Sequence, residues 1–170
     1  IHFIGVSNWT TQRIEEANKF AEENGMEPIR ISQINYSLAH SSVETFGDNT
    51  LVCMDTKEFR WYKKHDFPVM AFSPQAKGFF AKLAKGDAAN NLPEGQYAGP
   101  ANLARLAKVK QLSEQTGDTP AKITLGYLNS QPFFVSSVFA VTKLWQLDED
   151  MEAQDLTYDP KTVAFLENMI

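Results

Sequence analysis

One cysteine, three histidines and no excess of positive charge set the outer limits on what this chain does. Cys53, standing alone, excludes an intrachain disulfide framework and any site built from several thiolates. His2, His40 and His65 are scattered and there is no HExxH pairing, so a metal centre is poorly supported. The formal charge is −5. A nucleic-acid or anionic-membrane partner needs a basic surface, and neither partner is expected. Apolar runs stay far short of the roughly 18 residues of a membrane helix. Fixed-period repeats and low-complexity tracts are missing too. What remains is 170 residues, 43% hydrophobic and 22% charged, the composition of one ordinary globular domain, expected in the cytoplasm.

Short apolar runs alternate with longer amphipathic ones. Ile1 to Val6 reads as a strand, and Thr10 caps a helix running to about Asn24, with Ile14, Ala17, Phe20 and Ala21 on one stripe and Gly25 past its end. PIRIS (28–32) is a second strand ending at Gln33; Asp55 or Thr56 then caps a helix that turns Phe59 and Tyr62 inward. FPVMAF (67–72) is a third strand, followed by the Gly/Asn/Pro-rich loop KGDAANNLPEGQYAGP. ANLARLAKVKQLSEQTG is a helix with Leu103, Leu106, Val109 and Leu112 on one side, and Thr119-Pro120 opens another. A fourth strand lies near Ser137–Phe139. A helix from about Leu144 to Ala153 follows it, and Asp159-Pro160 starts a last helix with Val163, Leu166 and Met169 on one face. Four strand-then-helix units in succession predict an α/β fold with a parallel sheet. Function then belongs at the carboxyl ends of the strands.

Those ends carry a particular set of groups. Ser7, Asn8 and Gln33 offer hydroxyl and amide groups without charge, which suits a neutral carboxamide. Phe72, just before Ser73, can stack on a planar ring. The helix that begins near Lys143 presents N–H groups and a positive dipole end, which suits a phosphate. Carboxamide, flat ring and phosphate together describe a nicotinamide dinucleotide; the plain alternative is that Ser7 and Asn8 only cap the loop that follows.

In order along the chain, IGVSNW (4–9), SQINYSLA (32–39), AFSPQAKGFF (71–80), LGYLNSQP (125–132) and LWQLDEDMEAQDL (144–156) resemble the C-terminal half of an aldo-keto reductase. The resemblance implies half of a TIM (β/α)8 barrel, four β/α units corresponding to strands 5–8, forming a single domain over residues 1–170. It implies NADPH as cofactor, with NADH left open, and a small-molecule carbonyl substrate. Ser7, Asn8 and Gln33 would hold the nicotinamide carboxamide. Phe72 and Ser73 stand in the aromatic-Ser motif, Lys143 near a 2′-phosphate, and Glu149 at the adenine edge.

The resemblance also carries departures. The family's Asp, Tyr, Lys and His tetrad belongs to the first four units, so no catalytic residue is assigned in this chain, which by itself is expected to be inactive. The turn Ala140-Val141-Thr142-Lys143 lacks the family's Gly and displaces its basic residue, and Asp150 stands where Asn is usual. A half barrel leaves two open strand edges. The expected cover is an N-terminal half barrel or a second copy of the chain. The leading expectation is the cofactor-binding half of a reductase. The alternatives are a dinucleotide-binding regulatory module without catalysis and an inactive fragment. Cys53 is expected to be a small buried apolar residue and Tyr97 a loop anchor. Trp9 is read either as lining a substrate mouth or as packing, and Trp145 as core or interface.

Overall fold

The computed structural model describes residues 1–87 and 97–167. Four parallel strands, β1 (Ile4–Ser7), β2 (Ile29–Asn35), β3 (Val69–Phe72) and β4 (Val135–Val138), lie side by side in chain order. The described helices between and after them are α1 (Thr11–Glu23), α2 (Val43–Phe46), α3 (Thr56–His65), α4 (Phe79–Ala84), α5 (Pro100–Thr116), α6 (Pro120–Asn129), α7 (Leu144–Met151) and α8 (Pro160–Glu167). Parallel neighbours require crossovers, and the helices supply them. The fold is therefore α/β with a four-stranded parallel sheet.

Local chemistry sets the helix starts. Thr10 accepts from the Arg13 N–H at 3.3 Å, Asp55 from Glu58 at 2.8 Å, and Thr119 from Lys122 at 3.3 Å. Each satisfies a first-turn donor that the helix cannot pair internally. Pro120 follows Thr119 at the first helical position, and Gly117 closes α5 with φ +80°, a conformation costly to other residues.

The helices bury one face of the sheet. Ile34, Val69 and Ala71 are fully enclosed there among Tyr62, Phe79, Ile123 and Leu128. By the two-residue alternation of a strand, Ile31, Gln33, Met70 and Phe72 fall on the opposite face, where all are only half-buried. Gly126 lets α6 approach the segment after α7: a Cβ there would meet Leu156 and Tyr158 at 2.9 Å.

Some expectations are corrected. Phe20 is 58% exposed rather than on the buried stripe of α1, and Leu103 is exposed on α5. Both strands predicted from apolar runs at the ends of the sheet shift, to residues 4–7 and 135–138. Helices α2 and α4 were not foreseen. Met169 and most of the Gly/Asn/Pro-rich loop lie outside the described residues. Tyr97 is fully buried, edge-on to Phe46 and tilted against Phe79, as a loop anchor should be.

Among the described residues, every exposed large apolar side chain except Leu103 lies on the first or the last β/α unit. Ile1, Phe3 and Ile4 lead into or begin β1; Phe134 precedes β4 and Val138 ends it, and Leu144, Leu147 and Met151 run along α7. These same units hold the two strands with an open edge.

Candidate functional site

The strand register brings the predicted neutral groups into one row. Ser7 is the Cα partner of Gln33, and Gln33 of Met70; one step further, Asn35 pairs with Phe72 and Phe72 with Val138. Ser7, Gln33 and Phe72 share the half-open face of the sheet at its carboxyl end. Among the described residues neither Ser7 nor Gln33 makes a side-chain hydrogen bond, so both are available to a ligand.

Asn8 adopts φ +54°, a left-handed conformation that Asn tolerates better than most residues. Its N–H donates to the Gln33 carbonyl at 2.9 Å, extending the β1–β2 ladder by one bond. Its side-chain Oδ1 accepts from the Val52 N–H at 3.2 Å. A backbone N–H can only be met by the amide oxygen, so this bond fixes which way the amide points. Nδ2 is left to donate elsewhere.

Val52 belongs to a segment that takes over the lane where β1 stops. Asn35 N–H donates to the Val52 carbonyl at 2.9 Å, and Met54 N–H to the Asn35 carbonyl at 2.8 Å. Cys53 forms an isolated parallel bridge with Asn35. It is half-buried, and burial pushes its thiol above the usual range. Nothing in the sequence pointed to this segment, because it acts through main-chain groups.

A second feature lies at the carboxyl end of β3 and β4. A cleft of about 590 Å³ opens between the 73–85 segment on one side and the β4–α7 turn with α7 on the other. Ser73 and Glu149 line it, so two of the predicted residues meet there; Lys143 is exposed and is not among the lining residues. Lys77, Lys82 and Lys85 stand on the first wall, and Asp150 on the second. Asp150 Oδ1 accepts from Gln75 Nε2 at 2.7 Å, which ties α7 to the loop after β3. Burial raises the Asp150 carboxyl above its ordinary range, against the lowering effect of that hydrogen bond. Trp145 is 54% exposed, not core, and the Lys85 ammonium sits 5.3 Å from its ring centroid.

The N–H groups expected to await a phosphate near Lys143 are used differently. Thr142 and Lys143 both donate their N–H to Gln146 Oε1 at 3.0 Å, and the Thr142 hydroxyl donates to it at 3.2 Å. The turn is capped by its own glutamine. Trp9 is half-buried beneath Arg13, whose guanidinium lies 3.8 Å from the ring centroid. Among the described residues no cluster of metal-ligating side chains forms, and no helix is long and apolar enough to cross a membrane.

A family model described as "Aldo/keto reductase family" matches residues 1–170. The chain belongs to the aldo/keto reductase family. Among curated proteins it is similar to the L-glyceraldehyde 3-phosphate reductase of Escherichia coli strain K12, with 22% identity over 184 residues. That match covers 99% of this chain and 49% of the relative. The corresponding protein of Escherichia coli O157:H7 matches to the same extent. This aldo/keto reductase chain thus spans about half the length of the curated relatives it matches. The family is one of oxidoreductases.

Proposed function

We propose that this chain is the cofactor-binding half of an NAD(P)H-dependent aldo/keto reductase that converts a carbonyl to an alcohol. The observation that carries the reading is the orientation of Asn8. Its oxygen is held by Val52 and its Nδ2 is turned free, one residue past the unpartnered Ser7 and Gln33 side chains. A carboxamide presents one acceptor and one donor group, and this row answers both. The residues fit the dinucleotide in a second respect. Three lysines line one wall of a cleft large enough for part of a nucleotide, and lysine serves phosphate as a point charge.

In this reading Ser7, Asn8 and Gln33 orient the nicotinamide, Phe72 packs against its ring, and Ser73 with Lys77 faces the phosphates. Glu149 and Lys143 stand toward the adenosine end. The bound cofactor supplies a hydride. Holding the ring by its amide fixes which face meets a substrate carbonyl, and such orientation is where much of a rate enhancement arises. The proton for the alcohol oxygen comes from outside this chain, from units that would also cover the open edges of β1 and β4. Among the described residues the exposed large apolar side chains, Leu103 apart, lie on the two end units and support that cover. The substrate is proposed to be a small aldehyde or ketone. L-Glyceraldehyde 3-phosphate, after which the relatives are named, is the first to try.

Titrating the protein with NADPH while following tryptophan fluorescence tests the reading. Trp145 lines the cleft and Trp9 adjoins Asn8, so saturable quenching is expected. No change at millimolar cofactor overturns the assignment.

A further inference from the structure

Asn35 is a polar side chain with no exposure at all, on the half-open face of the sheet, where its strand neighbours Gln33 and Ile31 are half-exposed. A buried amide is costly unless its hydrogen-bonding capacity is met. At Asn35 the main chain and the side chain are both engaged, and each bond leads to a different part of the candidate site. Its N–H and carbonyl hold Val52 and Met54, at 2.9 and 2.8 Å. Val52 in turn holds the Asn8 amide oxygen. Asn35 Nδ2 donates to the carbonyl of Phe72 at 3.4 Å. Asn35 Oδ1 accepts from the Ser41 hydroxyl at 2.6 Å, which fixes the amide the right way round for that donation.

We propose that Asn35 is a positioning residue that sets Asn8 and Phe72 relative to each other, so that one nicotinamide ring meets both the amide donor and the aromatic face. The inference rests on the functional reading above and extends it to a residue that touches no ligand. The main-chain bonds alone would place Val52. The ladder and the Tyr36 N–H, at 3.5 Å, also reach Phe72, two strands away from Asn8; the Asn35 side chain adds a second donor to the same carbonyl, and Ser41 holds its amide in the orientation that donation needs. Loss of the Asn35 amide leaves the Phe72 carbonyl only the Tyr36 N–H, at 3.5 Å, at the point where β3 turns into the left-handed Ser73, with φ +52°. The lysine-lined cleft lies beyond Ser73 and does not depend on this link.

That separation gives the test. Asn35→Asp keeps the acceptor for Ser41 and removes the donor to Phe72; Ser41→Ala removes the bond that orients the amide. Binding of NADPH and of 2′,5′-ADP, which has the adenosine and phosphates without the nicotinamide, is measured by calorimetry for each variant and for the unaltered protein. NADPH affinity is expected to fall about 3–10-fold, the worth of one oriented hydrogen bond, with 2′,5′-ADP affinity unchanged. An equal loss for both ligands, or no loss for either, overturns the positioning role. If Asn35→Asp does not fold, as judged by circular dichroism, Ser41→Ala carries the same comparison. Failure of the functional reading is told apart, because the unaltered protein would then not bind NADPH.

Discussion

Asn8 does two things that substitution can separate. Its left-handed backbone must be tolerated, and its Oδ1 must meet the Val52 N–H, which is partly buried. Asn8→Ala fails at both. A left-handed alanine costs roughly 1–2 kcal/mol, and a partly buried N–H without a partner costs about 1–3 kcal/mol. The variant is therefore expected to lose roughly 2–5 kcal/mol of stability. Asn8→Gly restores the backbone and recovers only the first part. Asn8→Asp restores both, since Asp also tolerates the conformation and its carboxylate accepts from Val52, so its stability should lie within about 1 kcal/mol of the parent. What Asp removes is the Nδ2 donor, and it sets a negative oxygen against any carboxamide oxygen. NADPH affinity should fall at least about tenfold in the Asp variant although the fold is intact. Urea unfolding gives the stabilities and fluorescence titration gives the affinities. An Asp variant that binds like the parent refutes the donor role, and a Gly variant as stable as the parent refutes the Val52 bond as a source of stability.

Two further predictions follow from buried carboxyls. Glu58 is 4% exposed and its Oε2 accepts from the Thr11 N–H at 3.0 Å; burial, partly offset by that bond, holds the pKa of its carboxyl above the usual carboxylate range. A carboxyl raised in the folded state binds more protons than in the unfolded chain, so its contribution is full below the unfolded value and is lost as pH rises through the folded one. Glu58→Gln keeps an acceptor for Thr11 and cannot ionise. It should gain stability relative to the parent between about pH 4 and pH 7, and a relative loss over that range in urea titrations would count against the account. Asp150→Asn keeps the acceptor for Gln75 and removes a negative charge from the cleft wall. At roughly 10 Å and an effective dielectric near 20 that charge is worth about 1–2 kcal/mol against a phosphate, so 2′,5′-ADP should bind roughly 5–10-fold more tightly, less so in high salt. Unchanged or weaker binding would place the phosphates outside this cleft.

The units of the fold were legible because their signals are local. Thr10, Asp55 and Thr119-Pro120 name their helices through one side chain and the next turn. Helices α2 and α4, of four and six residues, are too short for apolar periodicity to register. Phe20 and Leu103 were misplaced for another reason. Apolar spacing says which residues share a face, and only the packing of the sheet says which face is covered. In the site, Ser7 and Gln33 could be read because strand ends and the two-residue period lie in the sequence. Val52 could not, since its part is played by an N–H that every residue but proline has, and Asn35 stood two residues beyond the predicted end of its strand.

The arrangement of charge around the cleft bears on how an anion would be held there. The sequence suggested the start of α7, where N–H groups and the helix dipole converge. Those N–H groups of Thr142 and Lys143 are already met by Gln146, a neutral side chain on the same helix. A ligand phosphate at that turn would have to displace three hydrogen bonds before making its own. The opposite wall asks for no such exchange at Lys77, an exposed side chain on the cleft. Lys85 is exposed as well, and its contact with the Trp145 ring leaves the ammonium's three donors unspent. In the proposed dinucleotide complex the phosphate charge therefore falls to the lysine wall, with the α7 wall supplying shape and the acidic Glu149 for the base. Selectivity between NADPH and NADH would then depend on how far Lys85 can follow a 2′-phosphate across the cleft, rather than on the turn at Lys143.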